Sequence, residues 1–243
     1  DKTLYKQQNK YRADIDGLRA IAVLMVIAFH FGFLPNGFLG VDVFFVISGF
    51  LITGIIYRQI NENRFSIVDF YLRRIRRIIP LALFVSLIAL VIGILTMLPD
   101  DLENLAQSVF ATNLFSNNIL QAITTKDYWD VVNEYKPLMH TWSLGVEEQY
   151  YLVYPFLLML VMKRKSTWVL PLISTFAVAS LALYLLPYYR EFEKFYLLFF
   201  RFWELAAGGI VAIALKNKLI DNKYSTLLIL LLVSLMSFDF SFI

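Results

Sequence analysis

Arg19 and His30 lie in one apolar run, LRAIAVLMVIAFHFGFL (Leu18–Leu34). His30 lies eleven positions after Arg19. In a helix that is close to three turns, so both side chains share one stripe about 16 Å apart. A cation and an imidazole on a lipid-buried helix are costly, and they point to a bundle interior that uses them. The chain has only two histidines, His30 and His140, so the candidates for a base at neutral pH are few. A second cluster is HTWSLGVEEQYY (His140–Tyr151), where Ser143, Glu147 and Tyr151 recur at i, i+4 on one stripe and Glu148 points about 100° away. A third is FYLRRIRRIIP (Phe70–Pro80), with Arg73/Arg76 and Arg74/Arg77 each on one helical face. Guanidinium forks at that spacing suit bidentate binding of phosphate.

The elements that must position these groups are helices in a membrane. The chain is 59% hydrophobic and only 17% charged over 243 residues, which is too apolar for a soluble domain. An all-α, polytopic membrane bundle is predicted, with about seven spans: Leu18–Leu34, Phe38–Tyr57, Ile78–Leu98, Leu144–Met162, Trp168–Leu186, Phe195–Leu215 and Tyr224–Ile243. Leu102–Ile123 is interrupted by Gln107, Asn113, Asn117 and Asn118, and reads as an amphipathic or partly embedded helix rather than a span. With the N-terminus inside, the cytoplasmic segments carry sixteen Lys/Arg and the outer segments four, as the positive-inside rule requires. Residues 99–142 are then an extracytoplasmic loop. The first run lacks a small-x-small cleavage site and reads as a retained span. The last run stops at the terminus, so 1–243 is expected to be one membrane domain cut from a longer protein. Absence of cysteine excludes disulfides, thiol catalysis and thiolate metal sites. No metal site is expected. The net charge of +3 sits where topology wants it and does not argue for nucleic acid.

Topology converts position into depth. His30 lies four residues before the outer end of the first span, and Asp42 four residues after the outer start of the second, across the turn Pro35–Gly37. A carboxylate at that level can orient an imidazole and stabilise the imidazolium formed on proton uptake. The plainer reading is a hydrogen bond that clamps two helices. His140, Trp142, Ser143, Glu147 and Glu148 enter from the same side. Their plainer reading is a serine cap with acids complementing the helix dipole. Ser48 falls about 9 Å deeper than Asp42, too far for His30 to activate. Arg201 and Glu204 in RFWEL read as an internal ion pair. At the inner face, the four arginines near Pro80 and Arg19, which Asp14 and Asp16 could orient, would serve either a phosphorylated ligand or anionic lipid and topology.

These blocks, YRADIDGLRAIAVLMVIAFH, GFLGVDVFFVISGFLIT, FYLRRIRRIIP, HTWSLGVEEQYYLVYP and RFWELAAGGI, resemble the acyltransferase 3 family of bacterial membrane O-acyltransferases. The family includes peptidoglycan O-acetyltransferases and lipopolysaccharide O-antigen acetylases. The resemblance runs in order from about Tyr11 to Ile210. Its Arg-x10-His signature falls on Arg19 and His30, its Arg-x-x-Arg motif on Arg73–Arg77, and its Trp-Ser-Leu-x-x-Glu-Glu-Gln block on Trp142–Gln149. It implies an enzyme of the bacterial cytoplasmic membrane that moves an acyl group, acetyl by family precedent, from cytoplasmic acyl-CoA to a hydroxyl of an extracytoplasmic envelope glycan. Arg19, Arg73, Arg74, Arg76 and Arg77 would hold acyl-CoA. His30 would be the general base, with Asp42, Glu147 or Glu148 orienting its ring, and His140, Trp142 and Ser143 would support the acceptor. The residues also admit a proton-coupled transporter or exporter with His30, Asp42 and the glutamates as a relay. A non-catalytic membrane scaffold is a third reading.

Overall fold

The computed structural model describes residues 12–124 and 136–217. Among them are nine α-helices: α1 (Ala13–His30), α2 (Gly40–Asn61), α3 (Ile67–Thr96), α4 (Pro99–Asn113), α5 (Asn117–Thr124), α6 (Trp142–Arg164), α7 (Val169–Leu185), α8 (Glu191–Tyr196) and α9 (Leu198–Lys216). The described residues contain no strand, and the all-α membrane bundle is the fold. Among the described residues, four helical stretches are long and apolar enough to cross a bilayer: Gly37–Asn61, Ile67–Thr96, Ser166–Leu185 and Leu198–Lys216. Two more expected spans coincide with α1 and α6, which carry Asp14, Asp16 and Arg19, and Glu147 and Glu148. The seventh, Tyr224–Ile243, lies outside the described residues.

Local signals start and stop these helices. Ser66 Oγ caps α3 by accepting from Asp69 N–H at 3.2 Å. Pro99 opens α4 with Asp100 and Asp101 in its first turn. Phe115, at φ 53°, breaks the stretch read as one helix over Leu102–Ile123 into α4 and α5. The polar residues that interrupted that run are not all on a wet face. Asn117, Asn118 and Gln121 are buried.

The centre of the bundle is the crossing of α2 and α9. A Cβ at Gly49 would stand 1.8 Å from the Leu205 carbonyl oxygen, and one at Gly208 would stand 1.9 Å from that of Val46. Only glycine lets two backbones approach that closely, which is how helices pack where lipid removes the hydrophobic drive. Around this crossing, Val46, Ile47, Val211 and Ala212 meet Ile15, Leu18 and Ala22 of α1. Phe45, Trp142, Tyr150, Tyr154 and Leu205 pack on its other side.

Contacts give the relative directions. Ser48 and Thr53 of α2 meet Glu147 and Tyr154 of α6 in the same order, so those helices are parallel. Tyr71 and Arg74 of α3 meet Leu152 and Glu148 in reverse order, so α3 is antiparallel to α6. The end of α3 and the start of α6 therefore lie at the same end of the bundle. Most of α3 is exposed apolar surface, with Leu81, Phe84, Leu87, Ile92 and Leu95 among the outward residues.

Candidate active site

Asp42, in the first turn of α2, is buried and turned toward α9. There Arg201 Nη1 donates to Asp42 Oδ1 at 2.9 Å and to Glu204 Oε1 at 2.5 Å, while Nε donates to the Phe195 carbonyl at 3.1 Å. The internal Arg201–Glu204 pair is thus present, with Asp42 as its third member. The expected pairing of Asp42 with His30 is not made. Distance from a helix end fixes depth but not azimuth. Asp42, Val46, Gly49 and Thr53 recur at i, i+4, i+7 and i+11, and Arg201, Leu205 and Gly208 recur at i, i+4 and i+7. Each charged residue therefore lies on the stripe of its helix that holds the close-approach glycine. An acid or base placed seven residues before such a glycine is the signal that would have joined these two helices.

The glutamates are committed as well. Glu147 accepts from Ser48 Oγ and from Tyr151 Oη, the latter along the i, i+4 stripe read from the sequence. Glu148 faces α3, where Arg74 Nη1 stands 3.4 Å from its Oε1 and the guanidinium lies 3.2 Å from the Tyr151 ring centroid. Arg73, Arg76 and Arg77 are exposed, although Arg77 is near enough to act on Glu148 electrostatically. Of the four arginines, Arg74 alone is partly buried, and Arg77 shares its side of α3 toward Glu148. Arg19 is half-exposed with Nη1 3.8 Å from Asp16; Asp14 is taken by Arg12 at 2.6 and 2.8 Å.

No carboxylate reaches His30. This last residue of α1 meets His140 instead, ring centroids 4.3 Å apart with planes at 63°. Among the described residues, neither imidazole makes a hydrogen bond or an ion pair. Burial first, and the neighbouring His30 second, lower the His140 pKa below the ordinary histidine value, which favours the neutral ring. The two rings line a cavity of about 70 Å³ together with Trp142, Ser143, Phe195 and Arg201. A second cavity of about 230 Å³ shares Val26, Val41 and Ser143 with the first and is otherwise bounded by Val23, Ile27, Phe44, Phe45 and Glu147. The two cavities lie side by side between α1, α2 and α6; Arg74 lines neither and meets α6 at Glu148, on the face turned to α3.

One residue of the Trp142–Gln149 block has a role that sequence reading missed. Gln149 Nε2 donates to the Phe115 carbonyl at 3.0 Å and to Asn118 Oδ1 at 2.8 Å. Asn117 Nδ2 donates to the Leu138 carbonyl at 2.8 Å and to Thr141 Oγ1 at 2.7 Å. These bonds fasten α5 over the entrance of α6 and hold the segment carrying His140. The buried asparagines were the signal, since an Asn in a buried position needs a polar partner.

A multi-pass membrane helical bundle that pairs two histidines at one end with arginines on a neighbouring helix defines the class. The acyltransferase domain family matches residues 12–242, and the chain belongs to that family, acyltransferase 3. Peptidoglycan O-acetyltransferase OatA of Listeria monocytogenes is 39% identical over 165 residues, which is 67% of this chain and 26% of that protein. An uncharacterized protein of Haemophilus influenzae is 36% identical over 214 residues, 83% of this chain and 86% of that protein. The chain thus spans about a quarter of the named O-acetyltransferase. No solved structure gives a significant match.

Proposed function

We propose that the chain is the membrane part of an O-acyltransferase, moving an acetyl group from cytoplasmic acetyl-CoA to a hydroxyl of an extracytoplasmic envelope glycan. Peptidoglycan is the acceptor named for the Listeria relative. The observation that carries the reading is the unpaired, exposed imidazole couple at the mouth of a small, mostly apolar cavity that Ser143 and Arg201 also line. A sugar hydroxyl is a poor nucleophile at neutral pH, and an imidazole is suited to take its proton.

In this reading His30 is the general base. The acceptor oxygen attacks the thioester carbonyl as its proton passes to His30, the C–S bond breaks, and the imidazolium returns that proton to the departing thiolate. His140, edge-on to His30, holds the ring and is the alternative base. Arg74 and Arg77 hold the donor's phosphates by charge-assisted contacts, and Arg19 supports them at the same end. The roughly 16 Å from Arg19 to His30 is the reach a pantetheine arm must cover. The antiparallel α3 and α6 support a topology in which residues 99–142 stay on one face, extracytoplasmic by the positive-inside count, with the N-terminus in the cytoplasm.

A proton-coupled transporter would need its acids and histidines linked, and here the acids pair with Arg201, Ser48, Tyr151 and Arg74 instead. Mass spectrometry of envelope glycans decides between the readings. An acyl ester should appear with the wild-type protein. With His30→Ala it should fall by a factor of about 100 or more while CoA binding is kept. Near-native esterification by an inserted His30→Ala variant moves the base to His140, and no ester from the wild type rejects the transferase.

A further inference from the structure

We infer that Arg201 is a further catalytic residue, the group that takes up the negative charge developing on the thioester carbonyl oxygen; the inference rests on the transferase reading above. Sequence alone makes Arg201 half of an internal ion pair, and its three observed bonds fit that role. They use only part of the side chain. A guanidinium has five N–H donors. Nε is spent on the Phe195 carbonyl and Nη1 on Asp42 and Glu204, and Nη2 donates to no described residue.

The side chain is 2% exposed, yet it lines the cavity shared by His30, His140, Trp142 and Ser143. Nη2 is not one of the side-chain atoms sealed off without a partner, whereas Glu204 Oε2 is, so the second arm keeps access to the cavity that the residue lines. A guanidinium anchored by two carboxylates, with one arm left over in a cavity lined by the candidate base, is built like a preorganised oxyanion site. Its anchors fix the fork before the substrate arrives, so little reorganisation is needed as charge develops. Trp142 and Phe195, with ring centroids 5.8 and 5.0 Å from the guanidinium carbon, wall it from lipid and water.

The step balances. As the acceptor oxygen bonds to the carbonyl carbon and gives its proton to His30, the C=O π pair moves onto the carbonyl oxygen, and Nη2–H donates to it. When that pair returns to re-form the carbonyl, the C–S bond breaks and the thiolate takes the proton from the imidazolium. Arg201 ends as it began. Asp42 and Glu204 are positioning residues in this scheme: they touch Arg201 and not the reacting atoms.

The test uses the full-length protein in membranes with acetyl-CoA carrying a ¹³C carbonyl. In the wild type, the infrared band of the bound thioester should lie at lower frequency than that of free acetyl-CoA. In Arg201→Lys, which keeps a cation for Asp42 and Glu204 but loses the second arm, the band should return toward the free position. Its kcat should drop by about 10²–10³, with the donor KM nearly unchanged. Should the lysine variant fail to insert, the wild-type band decides alone. A wild-type enzyme that transfers acetyl with an unshifted carbonyl overturns the role of Arg201 and leaves the transferase standing. An inserted Arg201→Lys protein with near-native kcat overturns it equally. A wild-type protein that binds donor and makes no ester overturns the transferase reading itself.

Discussion

Adding one methyl group at Gly49 tests the frame on which the site depends. The new Cβ of Gly49→Ala would lie 1.8 Å from the Leu205 carbonyl oxygen, 2.6 Å from its carbon and 2.9 Å from its Cα. All three are backbone atoms of α9, so no side chain can turn aside. Restoring ordinary contact at 3.4 Å requires the helices to part by about 1.6 Å. Asp42 is two turns from Gly49 and bonds Arg201 at 2.9 Å. Carried over as a rigid shift, the same parting stretches that bond to about 4.5 Å, past hydrogen-bonding reach. Overpacking of this kind costs about 1–3 kcal/mol. Opening the buried pair raises the loss toward about 3–5 kcal/mol. At roughly 2–4 °C per kcal/mol for a protein of this size, the melting temperature should fall by at least 2 °C and by up to about 12 °C from overpacking alone. Tryptophan fluorescence melts in detergent read this directly. Gly54→Ala is the internal control: nothing lies within 4 Å of its added Cβ, so it should be neutral or stabilise by up to about 1 kcal/mol. An inserted Gly49→Ala protein that melts with the wild type would mean that α2 and α9 do not cross as described. Equal destabilisation by both substitutions would trace the effect to something other than this contact.

Other outcomes follow from the same geometry. A base acts only when deprotonated, and the alternative base His140 is held below the ordinary histidine pKa, so in an inserted His30→Ala variant that retains transfer the rate should be flat above neutrality and fall on acidification. Its midpoint should lie below about 6.5, and a rate that rises as pH drops would contradict this. Arg74→Ala with Arg77→Ala should weaken CoA binding more than Arg73→Ala with Arg76→Ala. Each lost charge-assisted bond is worth about 1.5–3 kcal/mol, and equilibrium binding at fixed salt that shows equal losses would reject the assignment of the donor to the Arg74–Arg77 side of α3. Single cysteines placed at Gln107, Arg164 and Lys216, all exposed and in a chain with no cysteine of its own, should react with an impermeant thiol reagent in whole cells only at Gln107. Labelling at position 164 would reverse the topology.

Apolar run length and charge placement carry enough physics to give the helices, since a spanning segment must be long, apolar and closed in its hydrogen bonds. Chemistry within one helix was equally legible: the Glu147–Tyr151 and Arg201–Glu204 pairs depend only on the helical period. What the period cannot give is which stripe meets which neighbour. Asp42 was placed at the right end of α2 and given the wrong partner, because its azimuth is set by how closely Gly49 and Gly208 let α9 approach. His30 and His140 are 110 residues apart, and their contact depends on the bonds of Gln149, Asn117 and Asn118 that seat the segment before α6. Asn117 and Asn118 read from the sequence as breaks in an apolar run, and Gln149 as part of the Trp142–Gln149 block. They are the fastening that lets a loop histidine reach a helix histidine.

The way the charged groups are partnered narrows the chemistry further. A base must be deprotonated, reachable and not already spent. Asp42 and Glu204 are spent on one guanidinium, Glu147 on a serine and a tyrosine, and Glu148 on Arg74. Asp42 and Glu204 are buried, so recruiting either as a base would leave a charge buried alone and cost the fold several kcal/mol. Glu147 and Glu148 are partly buried, and recruiting them would give up the bonds they already make. The two imidazoles carry no such commitment, and both residues are exposed, so an acceptor can reach them. The same reasoning orders the rate effects expected at this site. Removing His30 or His140 should change turnover more than stability, whereas removing Asp42 or Glu204 should change stability at least as much as turnover. A thermal melt run beside each rate measurement separates the two classes. If Asp42→Asn left the melting temperature untouched and abolished transfer, Asp42 would have to leave Arg201 during the reaction and act on the substrate itself.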